Sequence, residues 1–353
     1  MTLRVLVLHA YSAENAGDGL LVRETLALLQ EAFGANVDVT LLASRPDTFR
    51  DLVPAVYPTV PTKRGWDPET RRILKNIDDF DLAIGVGGGY LRTGTPVEAA
   101  KTLLVQGPQL RAAAGSSTPT VYLPQSIGPA RFGTRRWFRK TLGKLDVVMA
   151  RDDRTINEVG GPSMIRVPDL ATASVAGGRQ PGVSVEGTPV LSIRSVRGKV
   201  NPDIYVLSKM LGEYDGYIQS TVGGNDDRPA SATLSPRSIL ERSLLMTPGG
   251  SPRVIVAVRL HAALMALAAG HYVVHLAYER KGFGAFGDLG ISPWVHSVNT
   301  FEPDVVATQV KALLEDPSVR VDYDNRLAAA GGKMADSRAR IVSVLRENVA
   351  ARP

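Results

Sequence analysis

Short apolar runs alternate with longer amphipathic stretches through the first half of the chain. Residues 3–8, 37–42 and 81–86 read as buried strands, as do 120–123 and 147–150. Residues 18–33 follow the first run with Leu21, Leu28 and Leu29 on one side of a helix, and 97–113 carry a second helical pattern. Alternating strands and helices predict a parallel sheet covered on both faces. Residues 177–182, Gly-Gly-Arg-Gln-Pro-Gly, hold breakers without periodicity and predict a linker. The alternation then restarts. Residues 190–193, 216–219, 254–258 and 272–276 read as strands, and 203–212, 261–269 and 302–314 as helices. A last helix over 334–349 places Met334, Ile341 and Leu345 on one face. The expectation is an α/β protein of two doubly wound, Rossmann-like domains facing a cleft. The first spans 1–178 and the second 183–330, with a terminal helix over 333–353 packing back on the first.

Composition changes this picture little. A 353-residue chain that is 44% hydrophobic and 22% charged is an ordinary globular sequence. It contains no cysteine, which excludes disulfides and thiolate-bound metals. The apolar run at the N-terminus is too short for a signal-peptide core, and no stretch approaches a membrane span, so a cytoplasmic location is expected. The net charge of +6 points to anionic partners. No helix-turn-helix, zinc finger or aromatic RNA-binding motif accompanies it, so nucleic acid is not expected.

Open parallel sheets bind ligands at the carboxyl ends of their strands, and candidate chemistry collects there. In the second half, Ser192-Ile193-Arg194, Val258-Arg259-Leu260-His261 and Tyr278-Glu279-Arg280-Lys281-Gly282 each follow a strand. Arg194, Arg259 and Lys281 would be costly at such positions without an anion to meet. His261 can exchange a proton near neutral pH. In the first half, Asn15-Ala16-Gly17-Asp18 opens a helix, where Asp18 is either a cap or a substrate contact. Gly87, Gly88 and Gly89 follow a strand and would leave backbone open to a ligand, a tight turn being the simpler reading. Asp79 and Asp81 precede their strand and lie at the wrong end of the sheet for a metal site, and Asp152-Asp153 reads as a helix start.

Taken in order, these segments resemble the polysaccharide pyruvyl transferase family. The resemblance rests on Asn15-Ala16-Gly17-Asp18, Gly87-Gly88-Gly89, the stretch Leu123-Pro124-Gln125-Ser126-Ile127-Gly128-Pro129 and Ala150-Arg151-Asp152. It continues in Ser192-Ile193-Arg194, Arg259-Leu260-His261-Ala262, Tyr278-Glu279-Arg280-Lys281-Gly282-Phe283 and Asp288-Leu289-Gly290. Val258 departs from the small polar residue common before the arginine. The resemblance implies a GT-B-like architecture and a phosphoenolpyruvate donor on the second domain. It further implies a glycan or lipid-linked sugar acceptor on the first, and no metal or redox cofactor.

On that reading Arg194, Arg259, Lys281 and Ser192 bind the donor. His261 is the main acid, with Asp18 and Glu279 as candidate bases. Asn15, Gly17, Gly87, Gly88, Gly89 and Gln125 line the acceptor side. A nucleotide-sugar glycosyltransferase is the alternative, although Glu213, Glu241, Glu279 and Glu302 lack the paired spacing many retaining enzymes of that kind show. A catalytically silent glycan-binding protein at the membrane is a further alternative. Residues 131–140 are basic and aromatic, and they predict contact with an acidic membrane surface.

Overall fold

The computed structural model describes residues 2–173, 175, 184–221 and 226–351. The predicted linker at 177–182 lies outside them. The chain forms two compact units, Met1–Ala13 with Gly17–Leu170 and Ser337–Pro353, and Glu14–Ala16 with Ala171–Asp336.

The first unit is built on seven parallel strands: β1 (Leu3–Ala10), β2 (Val37–Ala43), β3 (Ala55–Pro58), β4 (Leu82–Gly85), β5 (Thr120–Gln125), β6 (Val147–Ala150) and β7 (Met164–Arg166). Their order is β3-β2-β1-β4-β5-β6-β7. Strand β1 shows why the sheet is buried on both sides. Val5 and Val7 face one apolar cluster, whereas Leu6 and Leu8 face the other. The first cluster is closed by Leu21, Val22, Leu28 and Leu29 of the helix Ala16–Phe33, and by Ile341, Val342 and Leu345 of the terminal helix. The second holds Ile73, Leu110, Phe138 and Leu142. The sheet reverses direction between β1 and β4.

The second unit holds five parallel strands: β8 (Val190–Ser192), β9 (Asp215–Gly216), β10 (Val254–Ala257), β11 (Tyr272–Ala277) and β12 (Val295–Ser297), in the order β12-β11-β10-β8-β9. Its reversal lies between β8 and β10. The ladder continues one residue past β10, because the Val258 N–H donates to the carbonyl of Ser192 at the end of β8, at 2.9 Å. The side chain of Val258 is fully buried.

Several elements differ from the sequence expectation. Strands β3, β7 and β12 are edge or near-edge pieces, too short to stand out as apolar runs. The expected strand at 216–219 is a two-residue pairing, Asp215–Gly216. The last helix runs over Pro317–Ala350 and passes through Gly331-Gly332, which reads as a break in sequence. Among the described residues, no helix is long and apolar enough to cross a membrane.

Candidate functional site

In the five-stranded unit, Arg194 follows β8 and Arg259 follows β10, so the two arginines flank the point where strand order reverses. Arg259 is the N-cap residue of the helix Leu260–Ala268. Its guanidinium donates from Nε and Nη2 to the two carboxylate oxygens of Asp227, each at 2.7 Å. Both residues are buried. Burial pushes the Asp227 carboxyl up, and this outweighs the opposing pull of Arg259 and Arg194. The Ser220 N–H donates to the same carboxylate at 3.2 Å. His261 sits half-buried in the first turn of the helix, two residues beyond Arg259. It is inside the helix and does not cap it.

Arg194 donates from Nη1 to the Tyr278 hydroxyl at 3.1 Å, and its Cζ lies 4.9 Å from that ring's centroid. Lys281 approaches the same ring, with Nζ 5.9 Å from the centroid, and pairs with Glu279 at 2.9 Å. Tyr278 therefore ties the end of β8 to the end of β11. Ser192 is buried at the end of β8. Lys281 stands in the first turn of the helix Arg280–Asp288, an element absent from the helices read in the sequence. Its glycines weaken helical propensity, but Gly282 packs where a Cβ would come 2.4 Å from His275 Nε2 and 2.8 Å from Ala277. His275 is fully buried and donates from Nδ1 to the Ala257 carbonyl at 2.7 Å. Desolvation lowers its pKa to about 4, so the ring is neutral.

Beside Arg194 lies a cavity of about 320 Å³, lined by Lys199, Asn201 and Asn299 among others. Val196 and Lys199 pair across a tight turn in which Arg197 (φ 54°) and Gly198 (φ 80°) are both left-handed. This turn presents exposed Lys199 at the cavity. The cavity thus sets two cations, Arg194 and Lys199, beside the amide side chains of Asn201 and Asn299.

Sequence reasoning missed Asp227, Tyr278 as the bridging ring, Lys199, and the polar pair Tyr217 and Gln219. Among the described residues, the buried Tyr217 hydroxyl and Gln219 Oε1 have no hydrogen-bond partner. Gln219 lies against Met265 of the His261 helix, and Tyr217 feels the Asp227 charge. The available signal was chemical: a buried arginine at a strand end requires a carboxylate, and Asp226-Asp227 is the acid pair closest after β9.

The residues predicted from the first half of the sequence are arranged differently, with Asn15 assigned to the second unit and the others to the first. Asn15 immediately precedes the helix Ala16–Phe33, with Gly17 and Asp18 in its first turn. Asp18 is therefore within the helix rather than its cap, at the end a carboxylate favours. Gly87 and Gly88 are buried and extend the sheet instead of standing open. The Gly88 N–H donates to the Pro124 carbonyl at 3.2 Å, and the Ser126 N–H to the Gly88 carbonyl at 2.8 Å. A Cβ on Gly87 would lie 3.1 Å from the Pro124 oxygen, and Gly88 adopts φ +147°. Gly89 adjoins Arg151, which is buried in an ion pair with Asp169 and donates from Nε to Ser126 at 2.7 Å. Gln125 is buried, and its Nε2 donates to the Tyr90 hydroxyl at 2.6 Å.

His9, at the end of β1, was not singled out by sequence. It stacks on Tyr90 at 4.6 Å, donates from Nδ1 to Gln106 at 2.7 Å and accepts from the Tyr122 hydroxyl at 2.8 Å. Burial lowers its pKa to about 4. A neutral ring with both nitrogens engaged fixes the strand ends and carries no charge to a ligand.

The family model described as polysaccharide pyruvyl transferase matches residues 15–221, more than half of the chain. Comparison with curated proteins finds no match. Among solved structures, the chain is similar to a glycosyltransferase from Rickettsia africae at 10% identity and TM-score 0.58, covering 100% of both chains. It is also similar to an E. coli trehalose-6-phosphate structure bound with UDP-2-fluoro glucose, at 12% identity and TM-score 0.54, covering 98% of this chain and 99% of the other. A third likeness is to an alpha-glucosyltransferase in complex with UDP and DNA, at 14% identity and TM-score 0.51, covering 95% and 96%. At these identities the likeness concerns the fold, which is GT-B.

Proposed function

The chain belongs to the polysaccharide pyruvyl transferase family, and on that premise we propose that it moves the pyruvyl group of phosphoenolpyruvate onto a sugar of a cell-surface glycan or its precursor. The product is a pyruvyl ketal and the leaving group is phosphate. The observation that carries this reading is the set of cations at the reversal of the five-stranded sheet: Arg194 and Lys281 meet at Tyr278, and the Asp227-held Arg259 lies two residues before His261.

Phosphoenolpyruvate brings a carboxylate and a phosphate next to an alkene. The arginine forks suit both anions, and Lys281 supplies a compact third charge. Asp227 is a positioning residue: it fixes the plane of the Arg259 fork before any donor arrives. Ketal formation begins with a proton delivered to the methylene carbon, which becomes the methyl group. A sugar hydroxyl adds to the neighbouring carbon and loses its proton to a base, phosphate departs, and a second hydroxyl adds with loss of its own proton. His261 is the acid in this scheme, and Glu279 is the candidate base of the same unit. No step calls on a metal or redox cofactor.

The test is phosphate release from phosphoenolpyruvate with a panel of glycan acceptors, followed by mass analysis of the product. Acceptor-dependent phosphate release with a pyruvyl mass increment supports the reading. Absence of release with every acceptor, together with turnover of a nucleotide sugar, would replace it with glycosyl transfer on the same fold.

A further inference from the structure

One surface of the seven-stranded unit sets exposed apolar side chains among basic ones. The sequence from Arg131 to Lys144 holds six basic residues and no acid: Arg131, Arg135, Arg136, Arg139, Lys140 and Lys144. The helix Thr134–Leu142 buries Thr134, Phe138, Thr141 and Leu142 and turns Arg135, Arg136, Arg139 and Lys140 to solvent. The aromatics of this segment therefore divide. Phe138 is wholly in the core, and Trp137 is half-buried 5.0 Å from it. The aromatic that reaches solvent is Phe132, 62% exposed just ahead of the helix. It adopts φ +55°, an uncommon conformation for a bulky residue.

A second element adds to this surface. Residues 96–113 form one helical stretch, Pro96–Lys101 and Gly107–Ala113 joined by a π-helical turn, Thr102–Gln106. It buries Ala99, Thr102 and Leu110 but exposes Val97 (66%), Leu104 (59%) and Leu103 (39%), with Lys101 exposed beside them. The two elements are tied together. The Arg131 N–H donates to Thr93 Oγ1 at 3.0 Å, and Thr93 and Thr134 hydroxyls meet at 2.6 Å. A Cβ on Gly94 would lie 3.2 Å from Pro129, and one on Gly107 would lie 3.7 Å from Trp137.

Single exposed apolar residues are ordinary. Here four of them, on two elements held side by side, are bordered by a run of cations. Nearby acids are committed elsewhere: Glu98 pairs with Arg92 at 3.3 Å and caps its own helix, and Glu158 accepts from the Ala130 N–H at 2.5 Å. Apolar knobs with cations around them match the two layers of a bilayer interface, acyl boundary beneath and phosphate above. We propose that this face docks the protein on an anionic lipid bilayer, with Val97, Leu103, Leu104 and Phe132 entering the boundary and the 131–144 cations meeting lipid phosphates.

The test is co-sedimentation of the full chain with phosphatidylcholine vesicles, with and without phosphatidylglycerol. Binding is expected to the anionic vesicles and to fall with added salt. Arg136→Glu with Arg139→Glu should weaken it by roughly tenfold or more. Phe132→Ser with Leu104→Ser should weaken it by about tenfold at unchanged charge, while unfolding at the wild-type temperature because both side chains are exposed. Equal binding to neutral and anionic vesicles, no binding, or wild-type binding by the serine variant would each overturn the proposal. So would a change of oligomeric state on serine substitution, which would make the face a contact between copies. Phosphate release reads the reaction separately, so failure of one reading does not decide the other.

Discussion

An arginine fork already filled by a carboxylate meets an incoming anion as part of a pair, and this shapes what substitutions at Arg259 and Asp227 should do. Asp227→Asn removes the countercharge and leaves a buried guanidinium uncompensated. Breaking a buried pair from one side costs on the order of 3 kcal/mol or more. An anion bound at Arg259 would restore the missing charge. Inorganic phosphate or phosphoenolpyruvate should therefore raise the unfolding temperature of Asp227→Asn by more than it raises that of the wild type. Equal shifts in the two proteins would mean that no anion reaches Arg259. His261 is tested by His261→Gln, which keeps a hydrogen-bond donor but not an acid. Turnover should fall by about 10²–10⁴-fold, with donor affinity little changed. A glutamine variant with near-normal turnover would assign the acid elsewhere. Arg259 and His261 were legible in sequence because polar residues ending an apolar run are conspicuous. Asp227 was not, because it follows Gly-Gly-Asn-Asp and reads as a solvated turn, and its partner is 32 positions away.

At the scale of elements, legibility followed burial. The central strands β1, β4, β10 and β11 are covered on both faces and appear as continuous apolar runs. The edge strands β3 and β7 hold only half-buried residues, so their pattern fades into the flanking loops. The helix Arg280–Asp288 was hidden for a different reason. Its glycines look like loop residues, and only the structure shows that Gly282 is set by the approach of His275 and Ala277. Gly282→Ala should destabilise the protein by about 1–3 kcal/mol through overpacking, and it should displace the first turn that carries Lys281. Loss of phosphoenolpyruvate affinity at a lower unfolding midpoint is the expected pair of results. An unchanged midpoint would show that β11 and the helix yield easily. Gly87 and Gly88 make the converse case. Their sequence suggests open backbone, but the strand-end neighbours Pro124 and Ser126 occupy it.

At the scale of the whole molecule, each unit buries a histidine whose pKa is lowered, and together His9 and His275 couple stability to acidity. His9 and His275 both have pKa values lowered to about 4, from an ordinary 6.5, with desolvation as the main cause. Lys281 adds to the lowering at His275, whereas the hydrogen bonds that His9 donates to Gln106 and His275 donates to Ala257 oppose it. The unfolded chain takes up protons at these positions near pH 6.5, and the folded chain does so only near pH 4. Their stabilising contribution is therefore fully present above pH 6.5 and is lost as pH falls toward 4. Each histidine can contribute up to about 3 kcal/mol of this loss. The denaturant midpoint should consequently fall steeply between pH 6.5 and 4, before most carboxylates titrate. His275→Asn, which retains a donor for the Ala257 carbonyl, should remove roughly half of that dependence while leaving the His9 share in place. A variant with the wild-type slope would show that His275 is already protonated in the folded protein, and that burial and Lys281 do not hold it neutral.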